Sequence, residues 1–160
     1  MSDKTQITQD GYNQLINEIN QLMDIERPAV IKAVADARSL GDLSENAEYH
    51  AAREKQRMIE SKLSELQKFH LSCEVVDFSV TANQTNVKFG ASVSFLNLKT
   101  NEEKTITIVS EYESNPSKGL ISINTPIAKI FLGKSVYDVC QFSFGGKLSD
   151  MEIIKIEYKK

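Results

Sequence analysis

A chain of 160 residues with 41% hydrophobic and 26% charged residues has room for one ordinary domain or two small ones, and its composition is that of a folded chain. No run approaches the roughly eighteen apolar residues of a membrane span, and the start MSDKTQITQDG has no apolar core of a leader, so a cytoplasmic protein with no membrane partner is expected. The net charge of −3 argues against unassisted binding to nucleic acid, and residues 1–78 hold nine Lys/Arg against fourteen Asp/Glu, so this half is expected to approach RNA or DNA only through a partner or a metal ion.

From Gln9 to about Leu71 the pattern is helical, punctuated by Pro28 and Gly41. Tyr12, Leu15, Ile19, Leu22 and Glu26 recur three and four apart, the seam of a coiled coil. Pro28 predicts a kink or short break near Glu26–Arg27, after which Val30, Ala33, Ala37 and Leu40 form the next stripe. The four-residue step from Glu26 to Val30 is a small stutter. Beyond Leu43 the spacing resumes in Tyr49, Ala52, Gln56, Ile59, Leu63, Leu66 and His70. Folding the two seams about a point between Ser44 and Glu45 sets Val30 opposite Ile59, Ala33 opposite Gln56, Leu22 near Leu66 and Ile19 opposite His70. One hinge aligning all these pairs predicts an antiparallel hairpin over residues 1–74. Its second helix, of about 26 residues, would be ~40 Å long. A two-helix seam buries little, so the hairpin needs an anchor at its base.

Residues 75–160 are expected to supply that anchor. Short runs rich in Val, Ile, Phe and Thr predict strands at Glu74–Val80, Val87–Leu98, Lys104–Ser110, Leu120–Ile123, Tyr137–Phe144 and Met151–Tyr158. Turns are expected at Asn83-Gln84, Asn97–Asn101, Ser114-Asn115-Pro116 and Gly145-Gly146. Thr125-Pro126 opens a short helix, Ile127–Leu132, closed by Gly133. The fold class is therefore α+β: a long helical hairpin followed by a small β-sheet domain with one short helix. Cys73, Cys140, His50 and His70 lack metal-ligand spacing and point to no permanent metal site.

The hinge reads Arg38-Ser39-Leu40-Gly41-Asp42-Leu43-Ser44-Glu45-Asn46-Ala47-Glu48-Tyr49. Gly41 can end the first helix, Asp42 or Ser44 can cap the second, and Asp42 with Glu45 has the spacing of a capping box. On the residues alone, a structural role for these acids competes with a chemical one. Arg38 and Arg53 flank the tip and can touch RNA phosphate or a partner's carboxylates, or the helices can form ion pairs, Arg53 with Glu48, or Arg57 with Glu60 or Glu54. Tyr49 can stack on a base or pack in the seam, while Ser44 and Asn46 read first as turn residues with a possible contact role at the tip.

The run LGDLSENAEYHAAREKQ, Leu40 to Gln56, resembles the hairpin tip of the GreA/GreB transcript-cleavage elongation factors, in its GreA form at Ala47–Glu54. The second half resembles the same family at Phe89-Gly90-Ala91-Ser92-Val93, at Leu120–Ala128 and at Gly133-Lys134, in the same order along the chain. The resemblance implies an FKBP-like C-terminal domain at the rim of the secondary channel of bacterial RNA polymerase, its Asn124-Thr125-Pro126 loop touching the coiled coil there. It implies a hairpin that passes down the channel to the polymerase active centre, where the 3′ end of backtracked nascent RNA is hydrolysed. Arg38, Ser44, Asn46, Tyr49 and Arg53 would then lie near RNA or polymerase. Asp42 and Glu45 occupy the positions of the family's two essential acids, and the protein would act as a monomer that stimulates polymerase without being an enzyme itself.

The chemistry of the residues agrees with this. Hydrolysis of a phosphodiester is served by two metal ions, and Mg²⁺ is usually held by one or two carboxylates plus substrate oxygens. Two acids are too few to retain Mg²⁺ alone but enough to complete a site shared with polymerase and RNA. A non-cleaving paralogue in the same channel is the main alternative, against which both tip acids argue. A prolyl isomerase and a coiled-coil scaffold are the others.

Overall fold

The computed structural model describes residues 4–42, 44–77, 85–144 and 146–158. Leu43, Gly145, the expected turn at Asn83-Gln84 and the end of the expected strand Glu74–Val80 lie outside them. The chain forms two compact units: Tyr12–Cys73, and Thr5–Gly11 together with the chain from Glu74 onward.

The N-terminal unit is the helical hairpin. Helix α1 (Gln9–Gln21) runs through a π-helical turn, Leu22–Glu26, into α2 (Arg27–Arg38); α3 (Ala47–Ser72) returns with 26 residues. Leu15, Ile19, Leu22, Val30, Val34 and Ala37 are buried on the outward leg, and Ile59, Leu63 and Leu66 on the return. Each large apolar side chain fully buried contributes about 1.5–3 kcal/mol, so this seam supplies the hairpin's main stabilisation.

The expected stripe of α2 needs correction. Val34 takes the inward place assigned to Ala33, which is exposed, as is Leu40. The shift is local, since Val30 and Ala37 keep their expected inward places and positions three and four after Val30 both lie near that face, where the larger apolar side chain is the one buried. The π turn before it, in which the N–H of Arg27 reaches back five residues to the carbonyl of Leu22, coincides with the stutter ahead of Val30. Pro28, lacking an N–H, sits in the first turn of α2, so the break expected at Glu26–Arg27 is a continuous helix with one widened turn.

Cross-hairpin contacts fix the register. Arg27 Nε lies 2.7 Å from Glu60 Oε1, and Gln67 Nε2 donates to Met23 Sδ at 3.7 Å. His70, expected opposite Ile19, has its ring beside Tyr12 (centroids 5.7 Å apart), with the phenol oxygen 3.2 Å from Nε2.

In the C-terminal unit, β1 (Thr5–Ile7) pairs with β2 (Cys73–Val75), and the N–H of Val76 donates to the carbonyl of Ile7 at 3.0 Å. Ile7 is fully buried, and Thr5–Gly11, expected in the hairpin, belong to the C-terminal unit. Five more strands follow: β3 (Ala91–Asn97), β4 (Glu103–Val109), β5 (Leu120–Ser122), β6 (Val139–Phe144) and β7 (Lys147–Tyr158). They form one sheet of order β5-β4-β3-β7-β6, antiparallel except for β4 with β5, with a bulge in β7 at Ile154, opposite Ser94/Phe95 of β3. Helix α4 (Pro126–Phe131) packs Ala128 and Phe131 into a core with Val93, Phe95, Ile108 and Ile153.

Several strand limits differ from expectation. β3 starts at Ala91 instead of Val87, because the chain turns at Phe89-Gly90, where Gly90 has a φ of 87°. The described part of the expected strand Glu74–Val80 is a strand only within β2, Cys73–Val75. β4 and β5 differ by one residue at their ends. β7 starts at Lys147 instead of Met151, because the polar stretch Lys147–Asp150 pairs with Gln141–Phe144 of β6. Pairing, not hydrophobicity, makes it a strand. β6 starts at Val139 instead of Tyr137, whose φ of 75° is incompatible with an extended strand.

Candidate functional site at the hairpin tip

Between α2 and α3 the chain turns through Ser39–Asn46. Ser39 caps α2 with its N–H on the carbonyl of Ala35 and its hydroxyl on that of Asp36 (2.6 Å). Gly41 follows at φ 128°, a backbone conformation that favours glycine, with open space where a Cβ would stand. The glycine is required here by the turn and not by crowding.

The cap of α3 is Asn46, not Asp42 or Ser44. Its Oδ1 accepts from the N–H of Tyr49 at 3.0 Å, and its Nδ2 donates to the carbonyl of Ala37 at 2.6 Å. One side chain thus satisfies an orphan donor of α3 and adds a second donor to the carbonyl of Ala37, which also accepts from the N–H of Leu40 at 3.1 Å, tying the two helix ends together. Asn ranks with Asp and Ser as an N-cap, so the Asn46-Ala47-Glu48-Tyr49 sequence carried this signal. Asn46→Ala is expected to cost about 1–2 kcal/mol locally, raising amide exchange at Tyr49 roughly 5–30-fold. Asn46→Asp keeps the acceptor but loses the donor to Ala37, and should fall between the two.

Relieved of capping, the acids are available. Asp42 is exposed and accepts from the N–H and the hydroxyl of Ser44, at 3.0 and 2.9 Å. These bonds from Ser44, backbone first, hold its carboxyl below the ordinary carboxylate value. It is therefore ionised throughout the neutral range, and only acidification below that lowered value would neutralise it and release Ser44. Glu45 is also exposed and has no hydrogen bond or ion pair among the described residues. One acid is oriented by its own turn and the other is free.

A cationic and aromatic cluster lies beside them. The Arg38 guanidinium stands over the Tyr49 ring, 5.7 Å from its centroid, and Tyr49 meets His50 edge-on at 5.6 Å. A hydrogen bond from Arg38, with further positive charge from Arg53 and Arg57, holds the Tyr49 phenol below its usual value. Arg53 donates to Gln56 Oε1 at 3.0 Å, and Arg57 pairs with Glu54 at 3.0 Å. The arginines and Tyr49 are thus brought together, while Ser44 and Asn46 have their side chains engaged within the turn.

The other sequence-predicted group, Asn124-Thr125-Pro126, lies in the C-terminal unit between β5 and α4. The Thr125 hydroxyl donates to the carbonyl of Ser122 (2.7 Å) and accepts from the N–H of Ala128 (3.4 Å), and Pro126 opens the helix. The N–H of Asn124 donates to the Ser122 hydroxyl at 3.1 Å, and the side chains of Asn124 and Pro126 are exposed. The loop is fixed from within and presents Asn124 and Pro126 outward.

The N-terminal model of the transcription elongation factors matches residues 5–75, and the C-terminal model of the GreA/GreB transcription elongation factors matches residues 82–158. The chain belongs to the GreA/GreB family. It is a transcription elongation factor, similar over its full length to other members. Transcription elongation factor GreA of Helicobacter pylori strain Shi470 is 44% identical over 158 residues, spanning 99% of this chain and 96% of the relative. The GreA of Thermodesulfovibrio yellowstonii is 44% identical over 159 residues, spanning 99% and 100%. Among solved structures, the GreA/GreB factor from Nitrosomonas europaea matches with a TM-score of 0.45 at 20% identity, covering 97% of this chain and 98% of that one. Among the described residues, no helix is long and apolar enough to cross a membrane.

Proposed function

We propose that this elongation factor works on backtracked bacterial RNA polymerase in the cytoplasm, carrying Asp42 and Glu45 down the secondary channel to the active centre. There the two acids complete a Mg²⁺ site held jointly with polymerase and the nascent RNA 3′ end, and the displaced RNA is hydrolysed. The observation that carries this reading is the availability of the acids: Asn46 caps α3, leaving both carboxylates exposed at the end of the hairpin.

The donor set suits Mg²⁺ in a shared site. Two carboxylates are the number this ion usually takes from a protein, and no group of three or more His, Cys, Asp or Glu suited to a metal occurs among the described residues. Mg²⁺, when bound, supplies charge neutralisation and an acidified water. The chain's own part is to bring ionised Asp42, already oriented by Ser44, and unencumbered Glu45 to one place. Arg38 and Arg53 can meet RNA phosphate, and Tyr49 can stack on an unpaired base, an interaction of about 1–3 kcal/mol where it forms. Asn46 holds the turn that presents them. In the C-terminal unit the Asn124-Thr125-Pro126 loop docks on the coiled coil at the channel rim, and one copy of the chain suffices.

The test is single-turnover RNA cleavage on a stalled, backtracked complex, with and without the factor. Stimulation is expected with polymerase, and RNA mixed with the factor and Mg²⁺ alone should stay intact. Cleavage by the nuclease-free factor alone would overturn the shared site. Binding without stimulation would favour a non-cleaving regulator of the same channel.

A further inference from the structure

Glu113, in the turn after β4, has its carboxylate among four donors. It accepts from the N–H of Thr8 at 3.2 Å and from the Thr8 hydroxyl. It also accepts from the N–H of Ser110 at 3.3 Å and from the Ser110 hydroxyl at 2.7 Å. The Thr8 hydroxyl in turn accepts from the N–H of Gly11 at 3.0 Å, which caps the first turn of α1. Ser110 is fully buried, and Thr8 and Gly11 are buried. A carboxylate is acceptor-only with about four lone-pair sites, so it matches this set of donors as no neutral side chain does.

Gly11 supports the same assignment independently. Glycine is a poor choice inside a helix, yet a Cβ at this position would collide with the Glu113 side chain. The carboxylate occupies the space where that Cβ would stand. All these groups lie within the C-terminal unit, of which Thr5–Gly11 is part.

We propose that Glu113 is a positioning residue for transcript cleavage, acting through the first turn of α1. It holds the turn from which α1 starts, and α1 runs on from there as the first helix of the hairpin. Releasing that turn loosens the root of the hairpin and leaves every tip side chain unchanged. The proposal rests on the reading above, in which the tip acids must reach the polymerase centre.

The experiment uses the full chain with Glu113→Ala, Glu113→Gln, Gly11→Ala and the double variant Gly11→Ala/Glu113→Ala. Amide exchange at Gly11 and thermal unfolding are read on the free proteins, and cleavage is read against factor concentration on backtracked complexes. Glu113→Ala should raise exchange at Gly11 at least about tenfold, as loss of a charge-assisted hydrogen bond would. It should lower the cleavage rate at saturating factor by up to about 10²-fold, the scale of a small misplacement of reacting groups, with a smaller change in the half-saturating concentration. Glu113→Gln should be intermediate, and it carries the test if the alanine variant does not fold. Gly11→Ala should lower the unfolding midpoint when Glu113 is present and raise it in the Glu113→Ala background. The same sign in both backgrounds overturns the contact. A wild-type chain that never stimulates cleavage overturns the functional reading and this proposal together. A wild type that cleaves, with Glu113→Ala freeing Gly11 yet matching it at saturation, overturns the positioning role alone.

Discussion

Asp42→Asn and Glu45→Gln should each bind polymerase and compete with the wild-type chain while losing about 10²–10³ in the rate of stimulated cleavage, the usual cost of one lost electrostatic contact in a transition state. The amides keep the size of the acids and most of their hydrogen bonding, but they are poor ligands for Mg²⁺ in competition with water. Folding should be almost untouched. The cap of α3 belongs to Asn46, and after Asp42→Asn the side-chain carbonyl at that position could still accept from Ser44. Raising Mg²⁺ should relieve part of the defect if weakened metal binding is its cause. Stability, competition and single-turnover cleavage measured on the same preparations separate the possibilities. Wild-type cleavage rates by both variants, while bound, would show that the acids contribute only to the turn, and the shared site would be wrong.

The same residues show how far the amino-acid pattern reaches. The hairpin is legible because its seam repeats along the whole of both legs, and periodicity of that length outweighs local propensity. The π turn at Leu22–Glu26 is visible only as a stutter. Spacing indicates that one residue is surplus but not which turn widens to hold it. Periodicity also allows either Ala33 or Val34 between Val30 and Ala37, and the larger side chain holds the inward place. The strands of the main sheet are legible where they are apolar, and the limit of β7 is not, because pairing with β6 makes a strand of Lys147–Asp150. At the tip, three residues could each cap α3, and the spacing of Asp42 and Glu45 favours the wrong pair. Choosing Asn46 requires knowing that the carbonyl of Ala37 stands within reach of its amide. The strand Thr5–Ile7 and the hold of Glu113 on Thr8 are invisible for a related reason, since they join residues far apart in the chain through contacts that leave no period.

Phe131→Ala should be the most damaging change to the C-terminal unit, costing about 3–5 kcal/mol, the range for a fully buried phenylalanine cut back to alanine. Phe131 is wholly inaccessible, its ring centroid lies 5.0 Å from that of Phe95, and with Ala128 it anchors α4 to the sheet. The loss combines removal of the transferred apolar surface with a cavity that β-sheet neighbours such as Val93, Ile108 and Ile153 cannot easily collapse into, being held by strand pairing on both sides. Phe131→Leu leaves a smaller void and should cost clearly less. Amide exchange gives the readout by region: protection in β3, β4 and β7 should fall together, because a sheet with one core opens as a unit. Protection in the middle of α3, around Ile59 and Leu63, should fall much less, since those residues are buried in the seam of the other unit. If the hairpin amides lost protection in step with the sheet, the two units would be one cooperative structure. If neither lost it, α4 would not be the keystone of the core that the burial of Phe131 makes it.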